Sequence, residues 1–324
     1  MNKIFTITII FLLSILTGCG SKNISSKQNS ILLTVDFHDN QTLKYKFQTE
    51  REAIINWSPG SNFIDDNASV LNKTIERLDL VMSYKPLEIE PFGLSTIEVT
   101  CEEVKVSRSY GAPKDAVEYL AGKSYTLKVD SSGKIHDYSE LEELIKEVGQ
   151  KAFSSGSGSN RIKESDMLGD FIATQWFLWD SISSIPKPAQ GVDVGQTWKS
   201  KLSVPTPMVS RLARDVTYKL DEVQQDKNIA VINSTYKKTG SVPKNWPVPY
   251  TGSFQVRGTF GFLGGYKFID LAGEGQELFN IDLGQTEEYN QQYSMFIEAS
   301  IPIGINVNPV IRVKQKISMK LIEE

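Results

Sequence analysis

The chain has 324 residues, of which 40% are hydrophobic, and a net charge of −4. This length is ample for a buried core, in one large β domain or two smaller ones. The mildly acidic balance argues against nucleic acid as a partner, because phosphate contacts favour a basic surface. Only two cysteines and two histidines are present, so few residues are available for a zinc site or a Ser-His-Asp triad.

The first residues form a hydrophobic leader that ends at a cysteine. Lys3 is followed by an apolar and hydroxyl-bearing run at residues 4–16, which is shorter than the about 20 residues of a spanning helix and fits a signal peptide. The run ends in Leu-Thr-Gly-Cys at residues 16–19, which resembles the bacterial lipobox. The resemblance implies cleavage before Cys19, a diacylglyceryl group on its sulfur and an acyl chain such as palmitate on the new amino group. The alternatives are a plain signal peptide, although it would not need a cysteine, and a membrane-anchor helix.

Two or more acyl chains anchor a protein stably in a membrane. We therefore expect a membrane lipid partner through the Cys19 anchor and a location in the bacterial cell envelope, on the outer side of the cytoplasmic membrane or in the outer membrane. Gly20 follows the cysteine, and it is not the Asp that is linked to inner-membrane retention. This favours the outer membrane in a two-membrane bacterium.

Alternating apolar and polar residues predict β-strands through most of the chain. The alternation is clear in residues 43–47, 78–84, 97–106 and 125–129, and the doubled Glu102 and Glu103 predict a β-bulge. Turn residues at short intervals favour antiparallel pairing. Further strands are expected at 198–204, 216–223, 229–237, 254–262, 266–271, 278–283, 293–301 and 310–322.

Helices are expected between about residues 139 and 180. Ser139 and Glu142 have the spacing of a capping box, and an apolar stripe follows at helical spacing. A second helix at about 164–180 carries the most hydrophobic stretch after the leader. Its apolar stripe either packs across a curved sheet to complete the core, or lines a cavity for an apolar ligand, or dips into the lipid interface. The stripe consists of Leu168, Ile172, Trp176 and Trp179.

The expected fold is mainly β (a β-rich α+β chain) with antiparallel sheets, two related β modules being one possible arrangement. Residues 1–18 are the signal peptide, and residues 19–30 are the lipidated cysteine with a polar, flexible tether. Residues 31–153 form a first β-rich module with a C-terminal helix. Residues 154–190 form a Gly/Ser linker and the hydrophobic helix, and residues 191–324 form a second β-rich module.

Motifs with known chemistry are weak in this sequence. Gly122, Lys123 and Ser124 mimic the end of a phosphate-binding loop, but Val117 stands where that motif needs a glycine, so a β-turn is favoured. His38 lies among aspartates and is either a metal ligand or, as favoured here, the end of a strand. Cys101 alternates with apolar residues, which favours a buried inert thiol. We assign no catalytic residue, metal ligand or cofactor.

Several short segments together carry a likeness to known sequences. They are residues 44–47, 122–125, 133–135, 194–198, 218–220 and 230–232. From about residue 40 to its end, the chain resembles an uncharacterised group of bacterial envelope lipoproteins classed as a domain of unknown function. The resemblance implies an envelope location and brings no activity with it.

Three functions follow as expectations. The first is a membrane-anchored envelope lipoprotein that acts as a non-catalytic binding or assembly component, with another envelope protein as partner and an exposed apolar patch. The second is a carrier or sensor of an apolar ligand, held in a cavity of a curved β-sheet. The third is an acid-dependent hydrolase of envelope polysaccharide, which needs two carboxylates in one cleft.

Overall fold

A computed structural model describes residues 30–57, 73–109, 116–154, 160–204, 212–241, 266–299 and 308–323. Within them eleven strands form a single antiparallel sheet in the order β5-β4-β3-β2-β1-β11-β10-β9-β8-β7-β6, so the predicted mainly β class is confirmed. The strands are β1 (Leu43–Asn56), β2 (Lys73–Ile89), β3 (Ser95–Arg108), β4 (Ser124–Val129), β5 (Ile135–Asp137), β6 (Thr197–Val204), β7 (Leu212–Gln224), β8 (Ile229–Lys238), β9 (Tyr266–Asn280), β10 (Gln285–Ala299) and β11 (Val310–Glu323).

The sheet extends to both sides of a central pair. Strand β1 pairs with β11, strands β2 to β5 follow in sequence on one side, and strands β10 to β6 lie on the other. Both predicted β-rich segments therefore contribute to the same sheet. The strands predicted at 266–271 and 278–283 are one strand, β9, because Gly273 and Gly275 interrupt the apolar pattern without ending the pairing. The strand predicted at 254–262 lies outside the described residues.

Three α-helices and two short 3-10 helices complete the described structure. The helices are α1 (Ser139–Ser154), α2 (Asn160–Phe177) and α3 (Asp180–Ser183), and the 3-10 helices are Ala116–Leu120 and Pro188–Gln190. Helices α1 to α3 connect the two edge strands, β5 and β6. From Met167 to Phe177 nearly every side chain of α2 is buried. Residues 170–181 contact strands from β1, β2 and β4 on one side to β6, β7 and β10 on the other, so the sheet curves around these helices.

Of two local features predicted from the sequence, the β-bulge is found and the capping box is not. The β-bulge is confirmed at Glu102, where Val81 pairs with Glu103 and Met82 pairs with Cys101. The predicted capping box is displaced, because the carboxylate of Asp137 accepts hydrogen bonds from both the amide (3.0 Å) and the hydroxyl (2.8 Å) of Ser139. An acidic side chain just before a helix satisfies its free amides better than a residue inside the first turn.

The segment of residues 31–37 crosses one end of the sheet as a strap. Leu33, Val35 and Phe37 are buried, while the strap backbone bonds to Val192, to Ser131 in the β4–β5 turn and to Gly284 in the β9–β10 turn. The strap therefore closes the hydrophobic core at the end where the short turns lie. Among the described residues, no helix is both long enough and apolar enough to cross a membrane.

Candidate functional site

A row of mostly polar residues crosses the inner face of the sheet. Pairing between neighbouring strands aligns these residues side by side on seven adjacent strands, in the order β3-β2-β1-β11-β10-β9-β8. The row consists of Arg108, Glu76, Arg51, Gln315, Tyr293, Gly273 and Tyr236. Aligned residues of an antiparallel pair share one face, so these side chains lie on the face that the helices cover.

The first half of this row is an ion-pair network. Arg51 donates from one guanidinium nitrogen to both carboxylate oxygens of Asp170 in α2, at 2.9 and 2.8 Å, and from Nε to Gln315 at 3.0 Å. Glu76 accepts from Arg108 at 2.5 Å and lies 3.5 Å from Arg51. Burial raises the pKa of Asp170 to about 6, against the opposing effect of Arg51. This network fixes α2 to the centre of the sheet.

The second half of the row surrounds the cation of Arg214, for which the described part of the chain provides no acceptor. The guanidinium carbon of Arg214, on β7, lies 4.4 Å from the ring centre of Tyr236, 4.5 Å from that of Tyr293 and 5.2 Å from that of Phe177. Arg214 has no exposed surface. No described residue accepts a hydrogen bond from any of its three side-chain nitrogens.

Two glycines in β9 make room for the tyrosine rings. Gly273 pairs with both Tyr236 and Tyr293, and a Cβ atom on it would lie 2.4 Å from the Cβ atom of Tyr293. A Cβ atom on Gly275 would lie 2.5 Å from the hydroxyl of Tyr236. Because neither position has a side chain, both rings can lie across the inner face of β9 and reach Arg214.

Two further polar side chains on the inner face of β10 also lack partners within the described structure. The hydroxyl of Tyr293 and both polar side-chain atoms of Gln291, two residues earlier on the same face of β10, are buried without a hydrogen bond to any described residue. The hydroxyl of Tyr236, in contrast, bonds to Ser234 at 2.7 Å and to Tyr289 at 2.9 Å. Buried polar groups are nearly always paired, so a cluster of unpaired ones is typical of a site that receives another molecule or ordered water.

Two carboxyl groups with raised pKa values lie near this cluster, that of half-buried Asp180 and that of buried Glu277. Asp180 in α3 accepts from the hydroxyls of Tyr218 at 2.5 Å and of Ser200 at 2.9 Å, and burial raises its pKa to about 6, although Tyr218, Ser200 and Arg214 lower it. Glu277 on β9 accepts from Thr286 at 2.7 Å. Burial raises the pKa of Glu277 to about 7, and the negative charge of Asp180 adds to the increase.

The apolar stripe predicted from the sequence lies largely in the interior. Leu168 and Ile172 are buried in α2, and Trp179 is buried beyond the end of α2, with its ring against those of Phe37 and Tyr84. Trp176 is half-buried and contacts Tyr138 edge-on. The stripe is therefore not a single helical face, because α2 ends at Phe177. Its burial is consistent both with a core function and with the lining of a ligand cavity.

The other residues singled out in the sequence lie apart from Arg214. Cys101 is buried, and burial raises the pKa of its thiol to about 12, which keeps the thiol protonated. Gly122 has a φ of 77° and lies in the turn before β4, as favoured over a phosphate loop. His38 is exposed in a turn, and no group of three metal-ligating side chains occurs among the described residues. Cys19 lies outside the described residues.

The outer face of the sheet carries an open polar depression of about 960 Å³ across strands β2, β1, β11, β10, β9 and β8. Its side chains pair with one another: Gln48 donates to Asp79, Gln276 to Asn233, and Gln292 to Glu274. Such mutual pairing is typical of a solvated surface. In this respect the depression differs from the guanidinium of Arg214, which has no acceptor among the described residues.

Sequence analysis did not identify Arg51 or Arg214. The signal was present, because Arg214 alternates with Val216 and Tyr218, which predicts that all three side chains share the buried face of β7. A charged residue in phase with apolar ones indicates a buried charge. The alternation cannot tell whether that charge has a partner, since Asp170 is distant from Arg51 in sequence and no spacing rule connects the two.

The comparisons with known proteins place the chain in a family. No curated protein matches its sequence. A family of unknown function, DUF6263, matches residues 77–283, which is more than half of the chain. The matched segment contains Arg214, Tyr236, Asp180 and Glu277. The chain belongs to this family of unknown function.

Proposed function

We propose that the protein is a lipid-anchored component of the bacterial envelope that binds an acidic ligand in its interior and does not convert it. The observation that carries this proposal is the guanidinium of Arg214, which is fully buried and has no hydrogen-bond acceptor among the described residues. A ligand with an acidic group supplies the acceptor that the protein itself does not.

The aromatic rings around Arg214 compensate its charge but not its hydrogen bonds. A desolvated cation above an aromatic ring gains about 2 kcal/mol, and Arg214 lies near three rings. Ring faces are poor acceptors for the five N–H donors of a guanidinium, and each unmade bond costs about 1–3 kcal/mol when the donor is buried. The unmet requirement is thus for oxygen atoms, which a carboxylate or phosphate supplies in bidentate geometry.

The surroundings of Arg214 indicate the remainder of the ligand. Phe177 and the two tyrosine rings present mainly carbon surface, which favours an apolar group beside the acidic one. An amphipathic acid, such as a fatty acid or a lysophospholipid, has both parts. The carrier or sensor function expected from the sequence therefore becomes one form of the binding function, with the acidic group held by Arg214.

The environment of the buried carboxyl groups favours binding over hydrolysis. Asp170 is paired with Arg51, Asp180 accepts from two hydroxyls, and Glu277 accepts from Thr286. Asp170 and Glu277 are buried and Asp180 is half-buried on the inner side of the sheet, whereas a glycosidase presents two carboxyls to an open cleft that admits a sugar chain. The contacts of Asp170 and Asp180 hold helices against strands, and Glu277 accepts from Thr286 through one of its two oxygens.

The membrane anchor is supported by the leader sequence. Residues 1–18 have the pattern of a signal peptide, and Cys19 ends a lipobox-like sequence. Incorporation of labelled palmitate into the wild-type chain, and its loss in Cys19→Ser, tests this part of the proposal. Labelling that is unchanged in the variant would exclude Cys19 as the lipidated residue.

The ligand is tested by native mass spectrometry of the protein extracted from its own membranes, and by titration with oleate and with lysophosphatidic acid. We expect bound mass in the wild type and its loss in Arg214→Met. Arg77→Met is the matched control, because Arg77 is exposed on the outer face. The two titrations distinguish a carboxylate from a phosphate ligand. Equal binding by wild type and Arg214→Met would contradict the proposal.

A further inference from the structure

We infer that the end of the sheet from which the N-terminal tether leaves rests on the membrane surface, with Phe92 inserted into the lipid interface. This end, called the tether end below, comprises the strap of residues 31–37, the β2–β3 turn, the β4–β5 turn and residues 191–194. The inference rests on the proposed lipid anchor at Cys19 and adds an orientation to it.

Phe92 is the most exposed large apolar side chain among the described residues, with 94% of its surface accessible. It lies in the tight turn between β2 and β3, where the amide of Glu90 donates to Leu94 at 2.8 Å and the amide of Gly93 donates to Glu90 at 2.9 Å. Gly93 has a φ of 79°, a conformation that glycine adopts without strain. The turn is therefore well defined, and it holds the ring away from the protein.

Contacts connect this turn to the strap. A Cβ atom on Gly93 would lie 3.1 Å from that of Ser131 in the β4–β5 turn, so the two turns are in contact. The carbonyl of Ser131 accepts a hydrogen bond from the amide of Val35 at 2.8 Å, and Val35 belongs to the strap. Phe92 thus lies two contacts away from the segment that leads to the N-terminus.

The start of the strap is also fixed at this end. The hydroxyl of Ser30 donates to Asp193 at 2.9 Å, and Ile31 forms a bridge with Val192 through two backbone hydrogen bonds. Eleven peptide bonds separate Cys19 from Ser30, a span of at most about 40 Å when fully extended. An acyl group on Cys19 therefore keeps the tether end close to the bilayer.

Other exposed apolar side chains gather at the same end. Among the described residues, eight large apolar side chains are exposed, and five of them lie at or near the tether end. The five are Leu32, Leu87, Phe92, Val194 and Ile322. Isolated exposed apolar residues are common on protein surfaces. Here, however, several lie together at the end that carries the anchor, and the bilayer is the nearest apolar environment that can cover them. An aromatic ring at such a position gains by entering the interfacial region.

The orientation is tested with two variants of the full chain, Phe92→Cys and Ile269→Cys, each labelled with the fluorophore NBD at the new thiol. Ile269 is the matched control, since it is exposed on β9 at the opposite end of the sheet. Cys101 is buried with a raised pKa and stays unlabelled in the folded protein. The lipidated proteins are reconstituted in phosphatidylcholine and phosphatidylglycerol vesicles, with and without a lipid that carries a nitroxide near its head group.

We expect the label at position 92 to shift its emission to the blue and to be quenched by the nitroxide lipid, whereas the label at position 269 does neither. Absence of quenching at position 92 in chains that float with the vesicles would overturn the inference and leave the anchor intact. The emission of the label at position 92 could instead shift further to the blue as more protein is added per vesicle, without quenching by the nitroxide lipid. That result would identify a second copy of the chain as the occupant and would likewise overturn the inference. Chains whose intact mass shows no acyl groups, and that do not float, would instead overturn the anchor on which the inference rests.

Discussion

Arg51 and Arg214 are both fully buried on the inner face of one sheet, but within the described structure only Arg51 donates hydrogen bonds to a carboxylate, that of Asp170. The two residues have the same chemistry and different surroundings. They should therefore respond in opposite ways to the same substitution, which makes them controls for each other.

Arg51→Met should strongly destabilise the protein. Among the described residues, only the amide of Gln315, at 3.5 Å, then remains as a hydrogen-bond donor to the buried carboxylate of Asp170, and an uncompensated buried charge costs about 3–5 kcal/mol. The free energy of unfolding, measured by urea denaturation, should fall by that amount. The double variant Arg51→Met with Asp170→Leu should recover much of the loss, because it removes both charges. A single variant as stable as the wild type would show that the pair is not needed.

Arg214→Met should leave the stability of the ligand-free protein unchanged or raise it by about 1–2 kcal/mol. The substitution removes a buried cation whose donors have no acceptors within the described structure, and a hydrophobic residue of similar size fills the space between the rings. The same urea denaturation measures the effect, on protein from which bound lipid has been removed. A large loss of stability would indicate that the contacts with the aromatic rings are worth more than the unmade hydrogen bonds cost.

Gly273→Ala should destabilise the sheet. A Cβ atom there would lie 2.3 Å from the backbone oxygen of Gln292, so the backbone of β10 must move, and overpacking of this kind costs about 1–3 kcal/mol. Gly240→Ala is the matched control, since no atom lies within 4 Å of its Cβ position. Thermal unfolding of both variants should show a lower Tm for the first only. Equal Tm values would show that the backbone of β10 can move at this point at little cost in stability.

The secondary structure could be predicted from the sequence because alternation and turn residues act locally. The bulge at Glu102 follows from two consecutive charged residues in an alternating strand, and the buried stripe of α1 follows from its helical spacing. The single sheet could not be predicted, because the pairing of β1 with β11 joins residues at opposite ends of the chain. No local sequence pattern indicates which strands that are distant in the chain pair with each other.

The candidate site was harder to predict for the same reason. Hydrophobicity indicated residues 168–179 as the region of interest, and the structure does place α2 within the curve of the sheet. The unpaired cation, however, depends on a register in which Gly273 lies between Tyr236 and Tyr293. That alignment brings together three strands, and a change of one residue in any of them would turn a ring to the outer face.

The stability of the protein should increase as the pH falls from 8 to 5, in part through Glu277. Burial raises the pKa of Glu277 from 4.5 to about 7, so the folded state binds a proton at a pH at which the unfolded state does not. The stabilisation is complete below pH about 4.5, and it is lost as the pH rises through about 7. Over this range Glu277 should contribute about 2 kcal/mol, since one pKa unit corresponds to about 1.4 kcal/mol.

Glu277→Gln isolates this contribution, because glutamine resembles the protonated acid and can still accept from Thr286. The wild type and the variant should be compared by urea denaturation at pH 5 and at pH 8. We expect similar stabilities at pH 5 and a variant that is more stable by about 2 kcal/mol at pH 8. Titrating groups that do not interact with Glu277 affect both proteins equally and cancel in the comparison. If the difference between the two proteins is the same at both pH values, then Glu277 does not titrate in this range.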